Sequence, residues 1–184
     1  MSGLQNHNLI HAASRGSVTD VEACLHRLDS TTPSEASMAE ALFAAAIHGH
    51  ADVIRSLLAR QPGLLRTPSS SGMRPATVAA SQGHLEVMKA IGEVDPTVLS
   101  EVDHTGQNAL HHAAALGDPD LLEYLARIQP DSLEMPSAAD MTPMDLAWNL
   151  GHDECVSLLE RHGVERLSSK WACGCSPGEA CGPT

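Results

Sequence analysis

The chain has 184 residues and a formal net charge of −12, and its aromatic residues are limited to Phe43, Tyr124, Trp148 and Trp171. Phosphate groups are bound through Lys and Arg, so this charge argues against nucleic acid and anionic membranes as partners. Most globular cores take much of their buried area from aromatic side chains. Their scarcity favours short helices that pack closely through alanine.

The compartment is indicated by what the chain lacks. No stretch is apolar for long enough to span a bilayer. Residues 1–9 are polar and lack the basic start and apolar run of a secretory signal. The five cysteines are an odd number, which favours a reducing compartment. We therefore expect a cytoplasmic monomer, and leave open export by a route that needs no signal.

A short unit that ends in glycine recurs five times, and its copies are 33, 34, 34 and 34 residues apart. A pair of small residues precedes the glycine at one offset in four copies, and becomes Ala147-Trp148 in the last. A period kept this closely predicts a stack of repeated units. The glycines are Gly16, Gly49, Gly83, Gly117 and Gly151.

The first two repeats each predict two helices. Apolar residues at helical spacing predict helices over 8–15 and 18–28 in the first repeat, and over 38–48 and 52–60 in the second. The segment 37–40, Ser-Met-Ala-Glu, has the spacing of a capping box, in which the serine and the glutamate satisfy free backbone donors.

The connectors between repeats share a second pattern, a proline followed by leucine three residues later. Proline cannot continue a helix, so it should end each outer helix, and we expect the leucine to fold back onto the core. The pairs are Pro62 with Leu65, Pro96 with Leu99, and Pro130 with Leu133.

Several residues predict where later helices begin and where the stack ends. Pro75 and Pro143 suit the first helical position, where a missing N–H has no consequence. Asp118 is placed to cap a helix that begins at Pro119. Trp148 replaces an alanine of the other repeats, and a ring of that size would hold stacked helices apart. We therefore expect it to close the open end of the last repeat.

These repeats resemble the ankyrin family, whose pattern runs Gly-x-Thr-Pro-Leu-His-x-Ala-Ala-x-x-Gly-His. The fifth copy matches at 141–147, the third keeps Gly72, Pro75 and Gly83-His84, and the fourth keeps Gly106, Leu110 and His111. The resemblance covers residues 5–164 and implies an all-α ankyrin-repeat solenoid of helix pairs. Ile10, Phe43, Thr77 and Asp145 depart from the family by standing where it has histidine. The family's usual Gly-Ala-Asp-Val-Asn turn is missing from every copy.

The period sets the boundaries. We expect a repeat domain over residues 1–167 and a tail rich in Cys, Gly and Pro over 168–184. The repeats are predicted at 5–36, 37–70, 71–104, 105–138 and 139–167. The residues expected to serve the repeat structure are Gly49, Pro75, Gly83, His111, Gly117, Pro143, Trp148 and Gly151.

The resemblance implies a non-catalytic adaptor that binds another protein or peptide through inner helices and turn tips. A basic partner, or one with an apolar helix, suits the charge and the apolar positions. The alternative is that each apolar side chain packs sideways on the next repeat. The expected contact residues are Ile47, His48, Met73, Gln82, His104, Gln107, Leu116, Met141 and Leu150.

No motif for catalysis is present, and most histidines are expected to be structural or surface groups. The tail is the exception, because Cys173, Cys175 and Cys181 form a C-x-C-x5-C pattern. These thiols could hold zinc or copper, form a redox pair, or be altered by an enzyme that uses the repeats as a handle. The plain alternative is an inert terminus. No other cofactor is expected.

Overall fold

A computed structural model describes residues 2–28, 35–69 and 72–164 of the chain. This part contains ten α-helices in five consecutive pairs and no strand, so the prediction of an all-α repeat fold is confirmed. The helices are α1 Ser2–Ser14, α2 Val18–Leu28, α3 Glu35–His48, α4 Ala51–Arg60, α5 Pro75–Ser81, α6 Leu85–Val94, α7 Ala109–Leu116, α8 Pro119–Ile128, α9 Pro143–Asn149 and α10 Asp153–Arg161.

The helix pairs lie side by side in two layers. The inner helices α1, α3, α5, α7 and α9 each contact the next one in this order. In the outer layer α2 contacts α4, α4 contacts α6, and α8 contacts α10. Each pair therefore buries its apolar surface against its neighbours, as in a solenoid.

Alanine pairs make this close stacking possible. The two alanines before each glycine turn are buried in the first four repeats, with at most 6% of their surface exposed. Leucine, isoleucine and valine from the outer helices fill the space behind them, as Val53, Ile54, Leu57 and Leu58 of α4 do. The scarcity of aromatic residues thus fits a core of short helices.

The three connectors form short 3₁₀ helices, at Pro62–Arg66, Pro96–Ser100 and Pro130–Ser132. Each begins at the predicted proline, directly after an outer helix. The predicted leucines Leu65, Leu99 and Leu133 are 2%, 0% and 5% exposed. The prediction that they fold back onto the core is confirmed.

The predicted helix starts in the later repeats are also confirmed. Pro75 and Pro143 are the first residues of α5 and α9. Asp118 caps α8, where its Oδ1 accepts a hydrogen bond of 3.0 Å from the backbone N–H of Leu121. Trp148 lies in α9 and is half-buried against the core. The tail, 168–184, lies outside the described residues.

Two predicted boundaries near the N-terminus are wrong. The first helix begins at Ser2 instead of residue 8. The second inner helix does not begin after Ser37 as predicted, because α3 already begins at Glu35 and Ser37 is its third residue. Glu and Ala are strong helix formers, so 35–36 extend the helix past the serine. In the described part of the chain, no helix is long and apolar enough to cross a membrane.

Candidate protein-binding surface

Each inner helix meets its outer helix at a glycine turn. Gly117, which ends α7, has a φ of 75°, in the left-handed region that glycine adopts without strain. Gly49, which follows α3, has a φ of 78°. The turn therefore places the last residues of the inner helix at the surface.

A histidine after the glycine ties three of these turns to the preceding repeat. Its ring Nε2 donates to a backbone carbonyl at the end of the previous inner helix, which it can do only as the tautomer protonated at Nε2 or as the cation. The bonds therefore cross between repeats and fix the spacing of neighbouring turns. They join His50 to Ser14 at 2.9 Å, His84 to Ile47 at 2.9 Å, and His152 to Ala115 at 3.0 Å.

The fourth repeat departs from this pattern because Asp118 stands where the second, third and fifth repeats have histidine. The carboxylate caps α8, so it makes no bond of this kind to the third repeat. Leu116 instead leans over the third repeat, and its Cδ2 lies 3.0 Å from the point that a Cβ on Gly83 would occupy. A Cβ at residue 83 would crowd this side chain, and the φ of 75° independently favours glycine there.

One position at the C-terminal end of every inner helix, either its last residue or the residue after it, is exposed along the whole stack. It is the second residue after the small pair, and these five residues are called the inner row: Arg15, His48, Gln82, Leu116 and Leu150. Leu116 is 45% exposed and Leu150 is 55% exposed, whereas the small pairs behind them are largely buried. The neighbouring Ile47 is 46% exposed. The row therefore changes from polar side chains to leucine toward the C-terminus.

The predicted contact residues at the hairpin turns before the inner helices, here called tips, are less exposed. Met73, Gln107 and Met141 are half-buried, and His104 alone among them is exposed. Met73 packs against the core. The exposed apolar candidates are therefore Ile47, Leu116 and Leu150.

The tip before α7 is braced by a buried carboxylate. Oδ1 of Asp103 accepts hydrogen bonds from the backbone N–H of Thr105 at 2.8 Å and of Gln107 at 3.2 Å. Its Oδ2 lies 2.9 Å from Nε2 of His112 on α7. Burial by itself would raise the pKa of Asp103, but the bonds from Thr105 and His112 outweigh it and lower the pKa. The tip is thus held to α7 in one arrangement.

His111 joins the fourth and fifth repeats inside the protein, and its side chain is fully buried. Its Nε2 donates to the backbone carbonyl of Met141 at 3.1 Å, and its Nδ1 accepts from the N–H of Asn108 at 3.3 Å. Oδ1 of Asn108 in turn accepts from the N–H of His111 at 3.2 Å. These bonds hold the buried ring between the start of α7 and the turn before α9.

This buried ring predicts a pH dependence of stability. Burial lowers the pKa of His111 below its ordinary value of 6.5. The unfolded chain therefore binds this proton more tightly than the folded one, and acid favours unfolding. We expect the free energy of unfolding to fall as the pH drops below 6.5, and to fall less in His111→Gln. Urea unfolding at pH 7.5 and at pH 5.5 measures the free energy of unfolding of the parent chain and of His111→Gln. An equal fall in that free energy between the two pH values in both proteins would contradict this assignment.

Two kinds of residue were not predicted. Asn108 is completely buried, and the available signal was its place three residues before His111 at the start of a helix. Exposed carboxylates at the starts of α8 and α10, Asp120 and Asp153, lie just beyond the leucines of the inner row. The signal for these was the uneven spread of charge along the sequence.

The described residues contain no group of three His, Cys, Asp or Glu side chains that could hold a metal ion. Cys24 and Cys155 are free thiols, and burial raises the pKa of Cys155, which makes it a poor nucleophile. Cys173, Cys175 and Cys181 lie outside the described residues. Zinc or copper binding by them, or their modification, remains a prediction.

Comparison with known families agrees with the structure. A family model for ankyrin repeats in three copies matches residues 9–98, and a second one for a single ankyrin repeat matches residues 105–134. No curated protein matches the chain. The two matched ranges together span well over half of the chain, and the helix pairs follow the same period. The chain therefore belongs to the ankyrin repeat family.

Proposed function

We propose that the chain is a non-catalytic, cytoplasmic scaffold that binds another protein through the inner row and the adjoining tips. Ankyrin repeats are generally modules for protein–protein interaction. The observation that carries the proposal is the exposure of Leu116 and Leu150, at 45% and 55%, on a regular stack. Exposed apolar groups that line up mark a contact surface.

The surface is also preorganised. His152 bonds the carbonyl of Ala115, next to Leu116, and His84 bonds the carbonyl of Ile47. Because the backbone beside these exposed side chains is fixed before a partner arrives, little conformational entropy is lost on binding. Leu116 and Leu150 occupy equivalent positions in adjacent repeats, so they offer a partner two apolar contacts at a fixed separation.

The other side chains support a binding role over catalysis. Four histidines, listed here, use their ring Nε2 to bond a backbone carbonyl of a neighbouring repeat, which is a structural role: His50, His84, His111 and His152. The free thiols of Cys24 and Cys155 fit a reducing cytoplasm.

Binding can be tested with two matched double variants. Leu116→Glu with Leu150→Glu places charges on the inner row. Val94→Glu with Ile128→Glu makes the same change at the ends of α6 and α8, where the side chains are 40% and 37% exposed and also 34 residues apart. Each protein is used to retain partners from host lysate, and the retained proteins are then purified and titrated against it.

We expect the inner-row variant to weaken binding of the retained protein at least about tenfold, because a buried carboxylate without a partner is strongly unfavourable. The control should bind within about twofold of the parent chain. Changing Cys173, Cys175 and Cys181 together to Ser tests whether the partner binds the C-terminal tail instead of the inner row. Loss of binding in the control or in the cysteine variant, with the inner-row variant unaffected, would refute the proposal.

A further inference from the structure

The negative charge of this protein is concentrated in one half of the chain. Residues 101–184 contain 14 Asp and Glu against 4 Lys and Arg, a formal charge of −10. Residues 1–100 contain 9 against 7, a formal charge of −2. The exposed leucines of the inner row, Leu116 and Leu150, both lie in the acidic half.

Acidic residues recur in the first turn of every outer helix, where a carboxylate favours the positive end of the helix dipole. In the second repeat Asp52 pairs with Arg55 at 3.2 Å, and in the third repeat Glu86 pairs with Lys89 at 2.7 Å. The helix dipole explains why these carboxylates are present, and the cations neutralise them.

The fourth and fifth repeats lack this neutralisation. Asp120 of α8, and Asp153 and Glu154 of α10, are exposed, and within the described ranges no salt bridge reaches any of them. Asp120 follows Leu116 by four residues, and Asp153 follows Leu150 by three, across the glycine turn. Exposed leucine and unpaired carboxylate thus occur together in both repeats.

We propose that the partner of these two repeats is a cationic amphipathic helix that lies across α7 and α9. Neighbouring helices pack about 8–10 Å apart, and a helix rises 1.5 Å per residue. Apolar side chains seven residues apart share one face of the partner helix and lie about 10.5 Å apart along it, so they reach Leu116 and Leu150 together. Lys or Arg beside them faces Asp120 and Asp153. This inference rests on the proposed function and specifies its partner.

Electrostatics of this kind has a measurable signature. Unpaired surface carboxylates attract a cationic helix through water, and added salt screens that attraction. The apolar contacts with Leu116 and Leu150 do not depend on salt in this way. Charge and leucine substitutions should therefore affect binding separately.

The test begins with a displayed library of random 20-residue peptides selected on the full chain. We expect the enriched peptides to carry net positive charge and two aliphatic residues seven positions apart, on one face of a helix. Asp120→Lys with Asp153→Lys should weaken their binding at least about tenfold. The matched control, Asp131→Lys with Glu134→Lys, makes the same charge change on exposed acids after α8 and should weaken it about twofold or less.

The outcomes separate this inference from the proposed function. Neutral or acidic peptides that still need the inner-row leucines would overturn the cationic helix and leave the proposed function standing. Equal losses in the two charge variants would also overturn it, because overall charge would then explain binding. Peptides unaffected by Leu116→Glu with Leu150→Glu would count against the proposed function itself. Circular dichroism of each variant checks that the helices remain folded.

Discussion

Replacing His111 with alanine is expected to destabilise the domain by about 3 kcal/mol, because buried polar groups lose their partners. The carbonyl of Met141 and the N–H of Asn108 both bond this ring, which is fully buried. His112 provides the matched control, since it is adjacent but half-buried and its ring bonds the carboxylate of Asp103 at 2.9 Å. His112→Ala should cost about 1 kcal/mol.

Urea unfolding followed by circular dichroism at neutral pH measures both variants. We expect the larger destabilisation by His111→Ala to come from the contact between the fourth and fifth repeats, because the His111 side chain contacts the backbone of Met141, 30 residues away. Hydrogen exchange should therefore show faster opening of α9 and α10 in His111→Ala. Equal destabilisation by the two substitutions would show that the burial of His111 does not increase its contribution to the free energy of unfolding.

Replacing Gly117 with alanine is expected to cost about 2–3 kcal/mol, which exceeds the cost of the same change at Gly151. Both glycines have a left-handed backbone, with φ of 75° and 77°, and that alone costs alanine about 1–2 kcal/mol. A Cβ on Gly117 would also overlap the ring of His152. A Cβ on Gly151 would meet no atom within 4 Å.

A double-mutant cycle isolates the second contribution. The His152→Ala background has no ring beside residue 117 and already lacks the bond to Ala115. If the ring of His152 clashes with the new methyl group, Gly117→Ala should cost about 1 kcal/mol less in this background. Gly151→Ala should cost the same in both backgrounds. Additive free energies at Gly117 would show that the backbone conformation accounts for the whole effect.

Much of the candidate site followed from the repeat period. The five copies put Leu116 and Leu150 at equivalent positions of adjacent inner helices, and the structure exposes both. The sequence also predicted Met73 and Met141 as contact residues. Both are half-buried, and Met73 packs against the core. A tip residue is covered or exposed by the repeat beside it, which the pattern within one repeat does not show.

The unpaired carboxylates are a second feature of the candidate site that the sequence analysis did not predict. Asp52, Glu86 and Asp120 hold equivalent places in the period and appear alike in the sequence. Arg55 and Lys89 neutralise the first two, and the fourth repeat has Glu123 where the second has its arginine three residues on. That contrast could have been read from the sequence by comparing repeats at the i, i+3 spacing of helical neighbours.

The sequence by itself determined the number of helix pairs, the alanine-lined stacking surface, the glycine turns and the proline connectors. These features follow from local backbone preferences and a period that repeats along the chain. The tertiary structure alone decided that His50, His84 and His152 bond the preceding repeat, and that Leu116 and Leu150 remain exposed. Both depend on contacts between residues about 34 positions apart, where the approach of two repeats, and no local preference, sets the distance.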